Sequence, residues 1–519
     1  MVLKKDVSHP RVHGRLAGGR SVALTAGLLL AAMAAAGSET PDLRLLSLDP
    51  WCSRKADKLS RELGPAQPLK LEGLRNDWLV GAVGVQADHA LDVTVSLAGP
   101  EELKQAASLA VVGEVPGPAR DGKPTWWLDP VIADPQKLGD LSKDVRNWAG
   151  IRDFPRLHLA PGEPVMLWLT IKTHGLPPGL WQGRMLVEQS PGSHSAMPLE
   201  VRVGAVELPA ENPIIGFSFT SFRERRDLAR LALEYGINGC SHYDDWDMCR
   251  QLGFKFFRFN LPHANFKGAD MDVKDEEVAR QDLEPIQEAV MRLKLKPEEW
   301  GIEVFDEPFD KNAWAAVAWM VRVRRLWPEA RFWCNPGYSE VHHNFATVPG
   351  TVDPLKPYVN TWCPYIKYLE PSSSEVLAAL RATGQPLWYY AINYNHSRPA
   401  NGGRWMPWLA WKNHLNGWAL YSLDAWGKGN PWRDQTCART YPGNTPSLWL
   451  EALRQGVQDY KRLWLLARKG VPGMQLDRLA DRVISFPDHI SAGLKGGECA
   501  TVRRELDHML LEPMLERPR

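Results

Sequence analysis

The apolar and polar positions of this chain fall into three successive rhythms. From about residue 37 to residue 210 the period is two. Leu91, Val93, Val95 and Leu97 are interleaved with Asp92, Thr94 and Ser96, and Leu199, Val201 and Val203 repeat the alternation before Leu208-Pro209. That spacing gives a strand one apolar and one polar face. Val165 to Lys172 is a further apolar run, and Leu176 to Val187 sets a Pro/Gly turn ahead of another strand. Short strands punctuated by turn residues predict an N-terminal β-sandwich over 37–210.

Beyond Pro213 strand-like and helical runs alternate. Eight strands are predicted: Gly216 to Ser221, Ile237 to Tyr243, Phe254 to Asn260, Trp300 to Pro308, Arg331 to Gly337, Tyr358 to Tyr365, Pro386 to Asn393 and Gly417 to Trp426. Between them, Ile286, Ala289, Val290 and Leu293 share one helical face, and Asn312 to Trp327 reads as a helix ended by Pro328. Ser372 with Glu375 forms a capping box, with Gly384 as the stop. Eight β/α units predict a central (β/α)8 TIM-type barrel over 211–445. An open doubly wound sheet is the rival topology, but no Gly-rich nucleotide loop follows any strand. From Pro446 the period is helical: Leu450, Leu453, Val457, Tyr460 and Trp464, then Leu476, Leu479 and Val483, then Val502, Leu506 and Met509. A C-terminal helical region over 446–519 completes a multidomain α/β chain.

The first residues follow neither strand nor barrel rhythm. Lys4, Lys5, Arg11, Arg15 and Arg20 precede the apolar run Val22 to Ala36, whose Ala34-Ala35-Ala36 end suits cleavage before Gly37. Residues 1–36 therefore read as an export signal, and the mature chain as periplasmic or extracellular. The run is short for a membrane span, and no later segment reads as transmembrane. The 62 basic and 61 acidic residues leave a formal charge of +1, without the basic excess that nucleic-acid binding needs. The 23 Trp are unusual and suit a carbohydrate partner, because flat aromatic faces stack on the C–H surfaces of sugars. Seven scattered cysteines, with no CxxC pair and no HExxH motif, give no metal-site signal, and no cofactor is expected.

Chemistry enters at the fourth predicted strand, Trp300-Gly301-Ile302-Glu303-Val304-Phe305-Asp306-Glu307-Pro308. The C-terminal end of a parallel barrel strand faces the active-site mouth. Adjacent strand residues normally point to opposite faces, so Asp306 and Glu307 reach one cleft only if the strand end relaxes. Pro308 is expected to hold Glu307 extended. Glycoside hydrolysis needs a proton donor to the leaving oxygen and stabilisation of positive charge at the anomeric carbon. Carboxylates on separate strands suit an ordinary retaining or inverting route. An adjacent pair suits substrate assistance, in which the substrate's 2-acetamido oxygen attacks, one carboxyl donates the proton and the other orients the acetamido nitrogen. Like charges at this separation push at least one of the two pKa values up.

The "FDEP" segment resembles glycoside hydrolase family 123 and the wider group carrying a domain of unknown function 4091. "PGEPVMLWLTI", "LPPGLWQGRMLV" and "LEVRVGAVELP" resemble that group's N-terminal sandwich. "PLWYYAIN", "RWMPWLAWKNHLNGWALYSLDAWGKGNPW" and "SLWLEALRQGVQDYKRLWLL" resemble its last barrel strands and helical tail. The resemblance implies a retaining β-N-acetylgalactosaminidase acting on glycans or glycolipids by the acetamido-assisted route. It implies Glu307 as acid/base and Asp306 as the acetamido-orienting residue.

A substrate-assisted site needs a hydroxyl on the acetamido oxygen. Tyr390, with Tyr389 in reserve, ends the seventh strand, and the pleat decides which faces inward. Trp333, Trp362 and Trp426 stand late on the fifth, sixth and eighth strands as candidate sugar platforms. Asp424 at the same mouth could bind sugar hydroxyls, and Asn395 and Arg404 in the loop after the seventh strand are further substrate-binding candidates. Cys334 and Cys363 lack an evident base and read as small buried hydrophobes. Two alternatives stay open: a glycosidase of the same fold on a non-acetamido sugar, with Asp424 as the second carboxylate, and a non-catalytic carbohydrate-binding protein.

Overall fold

The computed structural model describes residues 42–51, 56–120, 123–190, 193–241, 245–261, 276–339, 344–370, 373–391, 400–424, 430–432, 439–484 and 496–512. The predicted leader, 1–36, lies outside them. No helix among the described residues is long and apolar enough to cross a membrane.

The period-two region forms two five-stranded sheets. One runs in the order Leu43–Leu48, Trp78–Ala87, Val165–Lys172, Ala107–Arg120 and Lys123–Ile132. The other runs Leu69–Arg75, Ser193–Glu207, Gly179–Ser190, Leu91–Ala98 and Arg156–Leu159. Every neighbouring pair is antiparallel except Ser193–Glu207 with Leu69–Arg75. Val83, Val111 and Leu167 from the first sheet share one core with Val93, Val187 and Val201 from the second. The Val165–Lys172 run does not alternate because it is buried on both faces. Its other face carries Met166 and Trp168, which pack with Leu448 from the C-terminal region.

The next region contributes eight parallel strands: Ile215–Ser218, Gly239–Cys240, Phe256–Asn260, Trp300–Glu303, Phe332–Cys334, Val359–Trp362, Tyr390–Ala391 and Gly417–Leu420. Numbered in that sequence, their hydrogen-bonded order is 6-5-4-3-2-1-8-7. Isolated parallel bridges, Trp362 with Leu387 and Tyr365 with Tyr390, join the sixth strand to the seventh, so the sheet closes on itself. Each strand is shorter than its apolar run. The fourth stops at Glu303 instead of Pro308, and the eighth at Leu420 instead of Trp426. The residues beyond leave the ladder to build the mouth. Helix Ala313–Leu326 matches the predicted span to within a residue at each end. Ser372 lies outside the described residues. The helix Ser374–Ala382 has Ser373 at its N-cap, without a side-chain cap bond, and Gly384 follows it at φ 67°.

The third region is built on the 21-residue helix Leu448–Arg468, whose first turn is closed by the Ser447 hydroxyl accepting from the Leu450 amide at 3.1 Å. This helix is buried on its polar side as well. Asp459, fully buried, accepts from Arg404 at 2.7 Å, Arg503 at 2.5 Å and the Trp408 indole at 3.0 Å. Arg462 donates to Asp507 at 2.6 Å and to Asp77 at the start of the third strand of the chain. Glu451 takes the Tyr235 hydroxyl, Arg454 and, at 3.3 Å, the Trp168 indole, while Gln455 donates to the Trp78 carbonyl at 2.9 Å. One helix thus ties both sheet regions and the last helix, Gly496–Leu511, together. Arg404 was a substrate-binding candidate, and its burial in this ion pair corrects that expectation.

Burial alone would push the Asp459 carboxyl up, but Arg404 and Arg503 outweigh it and hold it at about 2. Its native form therefore binds fewer protons than the unfolded form, so this stability is present above pH 3.8 and is lost as pH falls towards 2. Asp459→Asn should strand two buried guanidinium groups and cost about 3–5 kcal/mol in urea unfolding at neutral pH. A loss below about 1 kcal/mol would show that the charge is dispensable.

Candidate active site

Inside the closed sheet the inward side chains stack in layers. At the base Phe256 meets Trp388 with ring centroids 4.6 Å apart. Above them Arg258 is enclosed by the rings of Phe217, Phe219 and Trp333, its guanidinium carbon 5.4, 4.8 and 5.4 Å from their centroids. Glu303 is its hydrogen-bond partner. Its Oε2 accepts from Arg258 and, at 2.9 Å, from the Asn260 amide, its cross-strand partner. Burial raises the Glu303 pKa, Arg258 opposes and the Asp306 charge adds, leaving it at about 7.

The next layer is the mouth. Glu307 sits at φ 52°, the left-handed region that side-chain-bearing residues seldom occupy. Pro308 was expected to keep it extended, and the structure corrects this. The turn is fixed by Asn335, which is buried just after the fifth strand. Its Oδ1 accepts from the Glu307 amide at 3.3 Å and its Nδ2 donates to Asp306 Oδ1 at 2.9 Å. Gly337 makes room, because a Cβ there would lie 2.8 Å from the Glu307 Cβ and 3.1 Å from its carbonyl oxygen. The Tyr368 hydroxyl then holds this loop by donating to the Gly337 carbonyl at 2.7 Å and accepting from the Ala346 amide at 2.6 Å. Asp310 braces it further through Thr347 and Thr351 at 2.6–2.8 Å.

The outcome is an exposed Asp306 beside a half-buried Glu307, with the Tyr390 hydroxyl donating to Glu307 Oε1. Burial pushes the Tyr390 phenol well up, and the charge and hydrogen bond of Glu307, then the charge of Asp306, push it further. Both carboxylates therefore lie within electrostatic reach of one phenol.

Other sequence candidates divide by the pleat. Trp333 points inward, wholly buried beneath the mouth, and Tyr390 points inward above it. Their neighbours point out. Trp362 donates to Thr383 at 3.2 Å and Tyr389 to the Met406 carbonyl at 2.9 Å, both in the layer between strands and helices. Neither reaches the mouth, which corrects the expectation of sugar contact. Cys334 and Cys363 are free and buried, and burial followed by the Glu303 charge pushes both thiols well up. Asp424 is half-buried and paired with Arg225. Asn395 and Trp426 lie outside the described residues.

The sequence reading missed Asn335, Arg258 and Asn260, and the inward role of Glu303. A charged residue inside the aromatic run Phe256-Phe257-Arg258-Phe259-Asn260 was the available signal, because a buried strand keeps a charge only with a partner. It also missed the mouth aromatics. Phe219 lies 6.3 Å from Tyr390 and 6.1 Å from Tyr421, which is 42% exposed, and Tyr365 lies 5.1 Å from Tyr390.

No protein-family model and no curated protein matches the sequence. Among solved structures, a family 123 glycoside hydrolase from Clostridium perfringens, studied for glycolipid glycan hydrolysis, superposes with a TM-score of 0.65 at 12% identity. The match covers 90% of this chain and 97% of that one. A family 39 glycoside hydrolase from Bacteroides cellulosilyticus matches at a TM-score of 0.35 and 10% identity, over 79% and 82% of the two chains, too distant to bear on the fold. The chain thus shares the fold of a family 123 glycoside hydrolase over nearly its whole length.

Gly337→Ala tests the bracket around Glu307. The added methyl should cost about 1–3 kcal/mol in equilibrium unfolding and displace the Glu307 backbone in a crystal structure of the variant. An unchanged Glu307 conformation at wild-type stability would show that Gly337 does not set it.

Proposed function

We propose that this protein is a retaining glycoside hydrolase that cleaves β-N-acetylgalactosaminides of glycans or glycolipids by substrate assistance. In this reading the paired five-stranded sheets are a β-sandwich and the closed parallel sheet is a (β/α)8 barrel with its active site at the strand C-termini. The observation that carries the proposal is the left-handed turn at Glu307, which sets two consecutive carboxyls about one phenol.

Each group then has a task. Glu307 protonates the leaving oxygen and, in the second half-reaction, takes the proton from water. Asp306, held by Asn335, accepts the acetamido N–H, so that the acetamido oxygen points at the anomeric carbon and the positive charge of the cyclic intermediate is balanced. Tyr390 donates to the Glu307 carboxyl, and in this reading its hydroxyl turns to the acetamido oxygen once substrate is bound. Phe219, Tyr365 and Tyr421 offer apolar faces to the sugar ring. Among the described residues the acetamido route is favoured because Asp424 is engaged by Arg225, and Asp310 by Thr347 and Thr351. Neither is poised as a separate nucleophile.

Glu307→Gln is expected to lose about 10²–10⁴-fold in kcat/KM on a natural glycan with a poor leaving group, and far less on an activated aryl glycoside. Asp306→Asn should lose rate on both, because nucleophile placement does not depend on the leaving group. Wild-type turnover of the glycan by either variant would remove the assignment.

A further inference from the structure

Beneath the reacting pair lies a polar cluster that no step above uses. Glu303 and Asn260 end adjacent strands, Arg258 lies one inward position lower, and all three are at most 5% exposed. Arg258 also donates to the Ser241 hydroxyl at 3.2 Å, so the second, third and fourth strands are all engaged. On the fifth and sixth strands the groups that sense the Glu303 charge are the neutral thiols of Cys334 and Cys363. From the mouth the charged group that acts on it is Asp306. Four polar atoms of this cluster have no hydrogen-bond partner among the described residues: Glu303 Oε1, Asn260 Oδ1, Arg258 Nε and Trp333 Nε1. A purely structural ion pair would use its second carboxylate oxygen, because leaving it bare in a buried site is costly.

We propose that Glu303 is a proton-holding positioning residue, a buried third carboxyl that sets the charge beneath Asp306. This rests on Asp306 and Glu307 being the reacting pair. The negative charge on Asp306 adds to burial in raising the Glu303 pKa, so it favours neutral Glu303. With Glu303 neutral, the enclosed Arg258 guanidinium is the uncompensated charge under the mouth and supports an anion at Asp306. When Glu303 ionises, that support is cancelled. Because Oε2 accepts from both Arg258 and Asn260, the proton of the neutral form falls to Oε1. The rings of Phe217, Phe219 and Trp333 shield the cation from water, so its field reaches the mouth with little screening.

The test is an infrared difference titration of the full chain over about pH 4–9, following the carbonyl band of a buried protonated carboxyl. The wild type should lose this band with a midpoint of about 7. Glu303→Gln should lack it. Asp306→Asn, a change at an exposed position, should lower the midpoint, because the repelling charge is gone. A band that survives Glu303→Gln, or a midpoint that Asp306→Asn leaves in place, overturns the proposal. The Asp306→Asn arm stands even where Glu303→Gln does not fold. In turnover, Glu303→Gln should change the pH profile of kcat/KM, and an unchanged profile contradicts a positioning role. The titration without hydrolysis of any N-acetylhexosaminide would overturn the N-acetylhexosaminidase assignment and leave the Glu303 proposal intact.

Discussion

The architecture depends on one buried ionic network, carried by the helix Leu448–Arg468. Most helices bury an apolar stripe and turn their charges to water. This one is enclosed on nearly all sides, so Glu451, Arg454, Asp459 and Arg462 must find partners inside the protein. Each partner comes from a different part of the chain: Asp77 and Trp168 from the first sheet, Tyr235 and Arg404 from the parallel-sheet region, Arg503 and Asp507 from the last helix. A buried ion pair adds little net stability compared with an apolar replacement, but removing one partner is costly. The network therefore acts by specificity, because it is satisfied only when all three regions sit in register.

The parallel sheet shows the same logic on a smaller scale. Its lower interior is aromatic, and among the described residues Arg258 is admitted there, enclosed by rings and hydrogen-bonded to Glu303. Above that layer the strands end and backbone geometry takes over. The left-handed residue at Glu307 would be costly alone. It persists because Asn335 satisfies the Glu307 amide, Gly337 gives it space, and Tyr368 and Asp310 hold the loop that carries them. The result is a polar mouth on a rigid, mostly apolar floor, in which small shifts of a carboxyl have large electrostatic consequences.

Much of this was legible in the sequence. Period-two alternation located the strands Leu91–Ala98 and Ser193–Glu207 because each has one wet face, and the alternation of strand and helix located the eight parallel strands. The Asp306-Glu307 pair stood out by its place at a strand end. Strand ends were less legible, because apolar runs continue into the loops that line the mouth. Facing was misread at Trp362 and Tyr389, since a strand buried on both sides carries aromatics inward and outward alike. Arg404 was misread because a sequence does not distinguish a loop cation that meets substrate from one that meets a buried Asp459. The segment "EALRQGVQDY" was the most distinctive part of the resemblance to family 123, and its polar residues prove to be the network's own.

The central claim is that the substrate brings its own nucleophile to Asp306 and Glu307. The most direct measurement is kcat/KM on a matched pair, an aryl β-N-acetylgalactosaminide and the aryl β-galactoside that lacks only the acetamido group. Intramolecular attack contributes about 7–11 kcal/mol through effective molarity, against about 1–3 kcal/mol for a lost polar contact. The account predicts cleavage of the first with retained configuration and near inertness of the second. Comparable values for the two would contradict it and require a nucleophile supplied by the protein.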